Sequence, residues 1–268
     1  MKVFLSVFAC LWLAVLAGSA AVADTLDDVI AAGTLRCAVV LDFPPMGFRD
    51  DDGEPQGFDV EYCKDLAASL DVTHEILPVT WAERLPAIVD GKADVVFGGT
   101  SDSLERARVV GFSIPYAVFY AQAVIGADSG IEEFEDMKGK RVGAAATTLQ
   151  EREFLDYTAE WGTEQIYKGY ASEEALFDAL AEGEIDAGIV TSTEVGPLVA
   201  EHDNLRAGPQ MPWTPDTTSV AAPRKDVAWL NYLNLFITHQ VRSGRYLELW
   251  GRFVGSAAPE LTIPGVYY

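Results

Sequence analysis

Histidine and cysteine are scarce in this sequence. Three histidines (His74, His202 and His239) are scattered along its 268 residues, and cysteine also occurs three times. These residues have no partners at the spacing of a metal-ligand motif, so we expect neither a zinc site nor a histidine-based catalytic triad. No metal ion and no cofactor therefore enters the predicted chemistry.

Positive charge is also in short supply. The chain carries 41 acidic and 19 basic side chains, which gives a formal net charge of −22. A chain of this charge is repelled by the phosphates of nucleic acids and by anionic lipid surfaces. We therefore expect no nucleic-acid partner and no membrane-surface function.

Long apolar runs are absent apart from one at the N-terminus. A single charge, Lys2, precedes the apolar residues 3–17, and the small residues 18–23 follow. This order is typical of a secretory signal peptide. A membrane anchor is the alternative, but the run is short for a bilayer span and lacks a basic end. We therefore expect a signal peptide over residues 1–23, export to the periplasm and a mature chain from about Asp24.

Two cysteines, Cys37 and Cys63, remain in the expected mature chain. An oxidising compartment would allow them to form a disulfide bond. Two buried free thiols are the alternative, because unpaired cysteine is among the most buried residue types. The sequence leaves both possibilities open.

Strand-like and helix-like segments alternate in two blocks along the chain. The first block contains "TLRCAVVL", a helix with Asp59 at its N-cap, "THEILPV", "WAERLPAIVDG" and "ADVVFGG", and the second runs from "AQAVIGA" to "DAGIVT". This alternation predicts an α/β fold with parallel strands. The blocks meet near residues 116–122 without a flexible linker. The C-terminal segment is helical, and its apolar stripe is expected to pack on one block.

The stretch "GGTSDSLERAR", residues 98–108, contains the first candidate site. It follows a predicted parallel strand, where open α/β sheets bind ligands. Residues 101–103 suit the N-cap of a helix, whose free N–H groups favour anions. Arg106 adds a guanidinium that matches a carboxylate in bidentate geometry. A capped surface helix with solvated arginines is the alternative interpretation.

Several segments resemble motifs of the bacterial periplasmic amino-acid-binding proteins of ABC transporters (solute-binding protein family 3). They are "GTLRCAVVLDFPPMGFRDDDGEPQGFDVEYCKDLA", "VTWAERLPAIVDGKADVV", "LERARVVGFSIPY", "FEDMKGKRVGAAATT" and "LAEGEIDAGIV". They occur in the family's order and cover nearly the whole mature chain. The resemblance implies the two-lobed periplasmic binding protein fold (type II), with a ligand cleft between the lobes. Lobe 1 would comprise residues 24–118 and 218–268, and lobe 2 residues 119–217.

The resemblance also assigns residues to a solute carboxylate. Arg106 would bind it, and Ser101 and the backbone of Gly99 would add hydrogen bonds. Thr148, with Thr147 beside it, would contact the carboxylate from lobe 2. The alternative for both threonines is that they only cap the helix that follows.

The resemblance places Phe43 and Trp81 in the pocket walls, although both could be ordinary core aromatics. One position departs from the family, which commonly has an aspartate for the solute's α-ammonium where this chain has Thr191. Threonine offers no charge, and a buried ammonium without a carboxylate is costly. Either Glu194 or Asp42 substitutes, or the solute is not a standard α-amino acid. Glu194 could also be an ordinary acid in the first turn of a helix.

The implied function is that of a transport receptor without catalytic activity. It would bind an amino acid or a related small carboxylate, close on it, and present it as a monomer to an inner-membrane ABC permease. The alternative is an exported cyclohexadienyl dehydratase, an enzyme of the same fold that converts prephenate or arogenate. Glu194 would then match the general acid of that enzyme.

Overall fold

The computed structural model describes residues 24–164, 166–255, 258, 259 and 261. The expected signal peptide, residues 1–23, lies outside the described residues. Within the described part of the chain, no helix combines the length and the apolar character needed to cross a bilayer.

Helices and strands alternate over most of the chain. The strands are β1 (Thr34–Val40), β2 (Phe48–Arg49), β3 (Pro55–Gln56), β4 (Thr73–Val79), β5 (Val95–Phe97), β6 (Gly111–Phe119), β7 (Ala121–Gly126), β8 (Arg141–Ala145), β9 (Ile166–Tyr170), β10 (Ala187–Thr191), β11 (Leu205–Gln210) and β12 (Asp216–Ala222). The α-helices are α1 (Thr25–Ala32), α2 (Phe58–Ser69), α3 (Arg84–Val89), α4 (Leu149–Tyr157), α5 (Glu173–Ala181), α6 (Ser192–Glu201), α7 (Val227–Ser243) and α8 (Arg245–Phe253). Among the described residues, three short 3-10 helices lie at Arg106–Arg108, Phe134–Met137 and Ala159–Glu164.

Two five-stranded sheets organise the molecule. The first has the strand order β4-β1-β5-β12-β6 and the second β11-β7-β10-β8-β9, while β2 and β3 form a small hairpin. In the first sheet β1 pairs in parallel with β4 and β5, and in the second β8 pairs in parallel with β9 and β10. The predicted α/β class with parallel strands is therefore confirmed.

Each sheet is covered by its own helices, which defines two lobes. Helices α1, α2, α3, α7 and α8 pack with the first sheet, whereas α4, α5 and α6 pack with the second. The C-terminal helices pack with the first sheet, and the apolar side of α7 buries Trp229, Leu233, Phe236 and Ile237. The proposed lobe limits of 24–118, 119–217 and 218–268 stay a prediction.

The chain passes between the sheets twice. At the first passage only Tyr120 separates β6 from β7, and its main chain is held by Ser192: Tyr120 N donates to Ser192 Oγ (3.3 Å) and Ser192 N donates to Tyr120 O (2.8 Å). At the second passage, residues 211–215 connect β11 to β12. These two short connections are the places where a hinge between the lobes would lie.

The predicted start of helix α2 in lobe 1 is wrong. The helix predicted to begin with Asp59 as N-cap has Gly57 at that position, with φ 120°. A side chain at position 57 would collide with the main chain of Met46, so the helix begins earlier than a polar N-cap would indicate. Asp59 instead points into an aromatic core and accepts a hydrogen bond from the Tyr116 hydroxyl (2.9 Å). Burial raises its pKa to about 7.

Cys37 in β1 and Cys63 in α2 form a disulfide bond, which decides between the two alternatives left open by the sequence. The bond ties the first strand to the helix that packs on it.

We predict that the double substitution Cys37→Ala/Cys63→Ala lowers the free energy of unfolding by about 3 kcal/mol. The bond closes a loop with a sequence separation of 26, which restricts the unfolded chain. Denaturant unfolding of the mature protein and the variant measures the difference. Alkylation of the unfolded, unreduced protein is the control, and labelling of both cysteines would contradict the assignment.

Candidate functional site

The stretch 98–108 forms a tight turn rather than the predicted helix. Only Arg106–Arg108 are helical, as a short 3-10 turn. The Asp102 carboxylate is occupied by the hydroxyls of Thr217 (2.6 Å) and Ser219 (3.1 Å) from β12, so it does not act as an N-cap. The expected helix dipole is therefore absent here, and a bound anion would depend on the guanidinium of Arg106 itself.

Arg106 reaches from lobe 1 to lobe 2. Its Nη1 donates to the Ser101 main-chain oxygen (3.4 Å) and its Nη2 to the Thr147 main-chain oxygen (3.0 Å). The side chain is half-buried, and this burial lowers its pKa, although nearby Asp216 acts in the opposite direction. Among the described residues, the hydrogen bonds of Arg106 thus end on neutral carbonyls. The geometry brings together Arg106, Ser101 and Thr147, and their predicted role toward a carboxylate stays a prediction.

A second arginine lies next to Arg106 and was missed by the sequence analysis. Arg84 is only 2% exposed, and its Nη1 donates to the carbonyls of Gly98 (2.9 Å) and Gly99 (2.8 Å). Burial, and then the charge of Arg106, lower its pKa to about 9. Because Arg84 also donates to the Thr147 oxygen at 3.5 Å, two guanidinium groups share one carbonyl of the opposite lobe.

The carboxyl group of Asp216 lies near these two arginines and was also missed. Asp216, the first residue of β12, accepts a hydrogen bond from the Ser101 hydroxyl (2.7 Å). Burial raises the pKa of Asp216 to about 6, against the effect of that hydrogen bond and of Arg106. Glu153 in α4 has a pKa raised to about 7, by burial and by the charge of Asp216. The predicted hydrogen bond from Ser101 to a solute would therefore compete with Asp216.

Thr147 and Thr148 present the edge of lobe 2 to these arginines. Thr147 has φ 66°, a left-handed conformation that is strained for a β-branched residue. Its N–H donates to Glu151 Oε2 (2.7 Å), while its carbonyl faces Arg106 and Arg84. The Thr148 hydroxyl accepts from Glu151 N (3.2 Å) and donates to the Ala145 carbonyl (2.7 Å). Thr148 is therefore the N-cap of α4, which is the alternative role that the sequence left open for its side chain.

Phe43, Trp81 and Gly99 meet beneath the cleft. The Phe43 and Trp81 rings lie edge to face with centroids 5.2 Å apart, and their side chains are 1% and 6% exposed. A Cβ atom at Gly99, which has φ 54°, would lie 2.9 Å from the Phe43 ring. Glycine is thus required there both by the backbone and by the ring. In this closed arrangement the two aromatics belong to the core of lobe 1.

Thr191 and Glu194 form a capping box at the start of α6. Glu194 Oε2 accepts from Thr191 N (2.9 Å), and the Thr191 side chain accepts from the backbone N–H of Glu194. Glu194 therefore lies in the first turn of α6 and caps it, which is the ordinary role that the sequence left open for this acid. It is also only 2% exposed, and burial raises its pKa well above the usual value.

Asp42, which precedes Phe43 in the chain, also joins the two lobes. Its carboxylate accepts from the N–H groups of Glu173 (2.7 Å) and Glu174 (3.2 Å), the first residues of α5. A carboxylate at a helix N-terminus satisfies free N–H donors and the positive end of the helix dipole. Asp42 of lobe 1 therefore caps a helix of lobe 2, which holds the cleft closed.

The residues missed by the sequence analysis share one property: ordinary local explanations accounted for them. Glu173 in "SEEAL" is typical of an exposed first turn of a helix, and Asp216 in "PDTT" is typical of a loop. Arg84 is the exception that a sequence could have indicated, because it lies among the apolar residues of a short helix.

A surface cavity of about 390 Å³ lies elsewhere on lobe 1, between α2 and the C-terminal helices. Its lining includes Asp65 and Arg245, which already form an ion pair of 2.8 Å. None of the predicted site residues lines it, so we keep the cleft as the candidate site. Among the described residues, no group of three or more His, Cys, Asp or Glu side chains is arranged to hold a metal ion.

The protein has two α/β lobes, two short connections between them and charged side chains at their boundary. This is the architecture of a two-lobed solute-binding fold, and known structures of that fold superpose on it. A mutant of ArgBP from T. maritima superposes with a TM-score of 0.79 at 26% sequence identity, covering 87% of this chain and 100% of that chain. The ancestral amino acid-binding protein AncCDT-1, a precursor of cyclohexadienyl dehydratase, gives 0.77 at 27% identity, covering 86% and 99%. The predicted two-lobed fold is confirmed.

The family follows from the sequence. The profile of the bacterial extracellular solute-binding proteins, family 3, matches residues 35–256, and the chain belongs to this family. The L-cystine-binding protein TcyJ of Escherichia coli is 27% identical over 237 residues, or 86% of each chain. The cyclohexadienyl dehydratase of Pseudomonas aeruginosa is 36% identical over 108 residues, or 40% of each chain.

We predict that Asp42→Ala destabilises the closed arrangement by about 1–2 kcal/mol, because two N–H groups at the start of α5 lose a charged acceptor. Small-angle X-ray scattering of the ligand-free protein should show a larger radius of gyration. Asp51→Ala, which removes an exposed carboxylate from a nearby turn, is the matched control. Identical scattering of Asp42→Ala and the parent protein would rule out this contact as a latch.

Proposed function

We propose that this protein is the extracytoplasmic receptor of an ABC importer and that it binds an amino acid or a related small carboxylate between its lobes. The observation that carries the proposal is the guanidinium of Arg106, held half-buried at the lobe boundary by the carbonyls of Ser101 and Thr147. A cation with neutral partners in a poorly solvated cleft is a strong site for a carboxylate.

Several features support a role in closure-dependent transport. Contacts from both lobes converge on Thr147 and on the start of α5, so a solute held between them would favour the closed population. The family contains extracellular solute-binding proteins, and its relatives include the Arginine-binding extracellular protein ArtP of Bacillus subtilis, 27% identical over 165 residues. In this proposal the closed, loaded form is what an inner-membrane permease recognises, and the protein acts in the periplasm as a monomer.

We predict that Arg106→Ala weakens binding of the solute by about 2–5 kcal/mol, because a buried carboxylate would lose its charged partner. A thermal-shift screen of amino acids and small carboxylates identifies the solute, and isothermal titration measures its affinity. Arg108→Ala is the matched control, since Arg108 lies in the same 3-10 turn but is exposed. Equal affinity of Arg106→Ala and the parent protein would remove the carboxylate-binding role.

One observation favours a second candidate function, that of an exported dehydratase. Glu194 is buried, and burial raises the pKa of its carboxyl group, which is the direction that a general acid requires. We predict that, if this function holds, purified protein converts prephenate and that Glu194→Gln abolishes the turnover. A spectrophotometric assay for the aromatic product tests this directly, and no turnover by the unmodified protein excludes it.

A further inference from the structure

Glu151 in the first turn of α4 holds the main chain of the residue that precedes the helix N-cap. In an ordinary capping box, the acid three residues after the N-cap accepts the N–H of the N-cap itself, as Glu194 does with Thr191 (2.9 Å) in α6. Thr148 is the N-cap of α4, but Glu151 Oε2 accepts from Thr147 N (2.7 Å). Glu151 therefore fixes the backbone one residue earlier than a helix cap requires.

Thr147 is a residue whose backbone needs such support. Its φ of 66° is unfavourable for a β-branched side chain, and a strained conformation persists only where its surroundings hold it. The carbonyl of the same residue accepts from Arg106 Nη2 (3.0 Å) and Arg84 Nη2 (3.5 Å) of lobe 1. The contact with Glu151 thus holds the residue that presents an acceptor to both arginines.

Strand β9 holds the Glu151 carboxylate in turn. The Tyr167 hydroxyl donates to Glu151 Oε1 (3.0 Å). A Cβ atom at Gly169, two residues further along the strand, would lie 2.8 Å from the same oxygen. The φ of Gly169 is not in the left-handed region, so the backbone does not require glycine there. The missing side chain at position 169 therefore leaves the room that the carboxylate occupies.

Three hydrogen bonds form a relay from lobe 2 to the guanidinium of lobe 1. They run from Tyr167 to Glu151, from Thr147 N to Glu151, and from Arg106 to the Thr147 carbonyl. An arginine side chain has many rotamers, and holding it in one orientation before binding removes an entropic cost. A fixed Thr147 carbonyl would therefore preorganise Arg106.

We propose that Glu151 is a positioning residue of the carboxylate site. It acts through the main chain of Thr147, whose carbonyl orients the Arg106 guanidinium, and it does not contact the solute itself. Both oxygens of its carboxylate are used by Tyr167 and Thr147. The inference rests on the proposed function, because it concerns how Arg106 is held for a carboxylate.

The test compares ligands with and without a carboxylate. Isothermal titration uses the standard L-amino acids, each beside its carboxamide, in which a neutral amide replaces the carboxylate. For the parent protein we expect the tightest-binding amino acid to bind about 100-fold more tightly than its carboxamide. In Glu151→Ala this ratio should fall below about tenfold, because Arg106 is no longer held. Glu151→Gln should restore most of it, since glutamine can accept from Thr147 N and donate to the Tyr167 oxygen.

A substitution on β9 disturbs Glu151 without changing its charge. Gly169→Ala places a methyl group against Glu151 Oε1, so it should lower the ratio as Glu151→Ala does. This variant keeps the test valid if Glu151→Ala does not fold. Gly126→Ala is the matched control, because Gly126 also lies in a strand of lobe 2 but a Cβ atom there meets nothing within 4 Å. It should leave the ratio unchanged.

The outcomes separate positioning from other roles of Glu151. Equal weakening of the amino acid and its carboxamide in Glu151→Ala would mean a purely structural role and overturn the inference. Equal loss of the ratio in Glu151→Gln and Glu151→Ala would mean that the charge itself is required, which also overturns it.

The parent protein distinguishes this inference from the proposed function. If it prefers the carboxylate and both Glu151→Ala and Gly169→Ala keep that preference, the receptor function stands and the positioning role is wrong. If the parent protein binds no amino acid, or binds amino acids and carboxamides equally, the proposed carboxylate site fails and the positioning role fails with it.

Discussion

The hydrogen bond from the Arg106 guanidinium to the Thr147 carbonyl is the contact on which the candidate site depends. It joins the two lobes at 3.0 Å and leaves a positive charge facing neutral oxygens. Arg84 lies behind it, almost fully buried, and donates to the same carbonyl at 3.5 Å. Two guanidinium groups at one lobe boundary are unfavourable unless negative charge is nearby. Asp216 supplies part of it, and a solute carboxylate would supply more.

Buried acidic groups lie near a second contact between the lobes. Asp42 caps a helix of the opposite lobe, and Glu173 and Glu194 keep buried oxygens that accept no hydrogen bond. Desolvation disfavours the charged forms on both sides of the cleft: it lowers the pKa of the arginines and raises that of the acids. Both sets of buried charged groups therefore lie where the two lobes meet.

Much of this fold could be predicted from the sequence, because hydrophobic periodicity records which face of each element is buried. The alternating segments indicated two α/β blocks, and Arg106 was identified as a candidate. The helix expected after residues 101–103 does not form, since Asp102 and Ser101 interact with β12, more than a hundred residues away. Glu173 was missed for the same reason: its neighbour Asp42 is 131 residues distant in the chain. Local patterns do not encode such encounters.

The central claim is that the cleft binds a small solute through the carboxylate held by Arg106. The most direct measurement is mass spectrometry of the molecule that co-purifies with the natively folded protein, compared with the same preparation of Arg106→Ala. We expect an amino acid or a related small carboxylate that is present in the first preparation and absent from the second. A bound molecule without a carboxylate, or the same molecule at equal occupancy in both preparations, would contradict it.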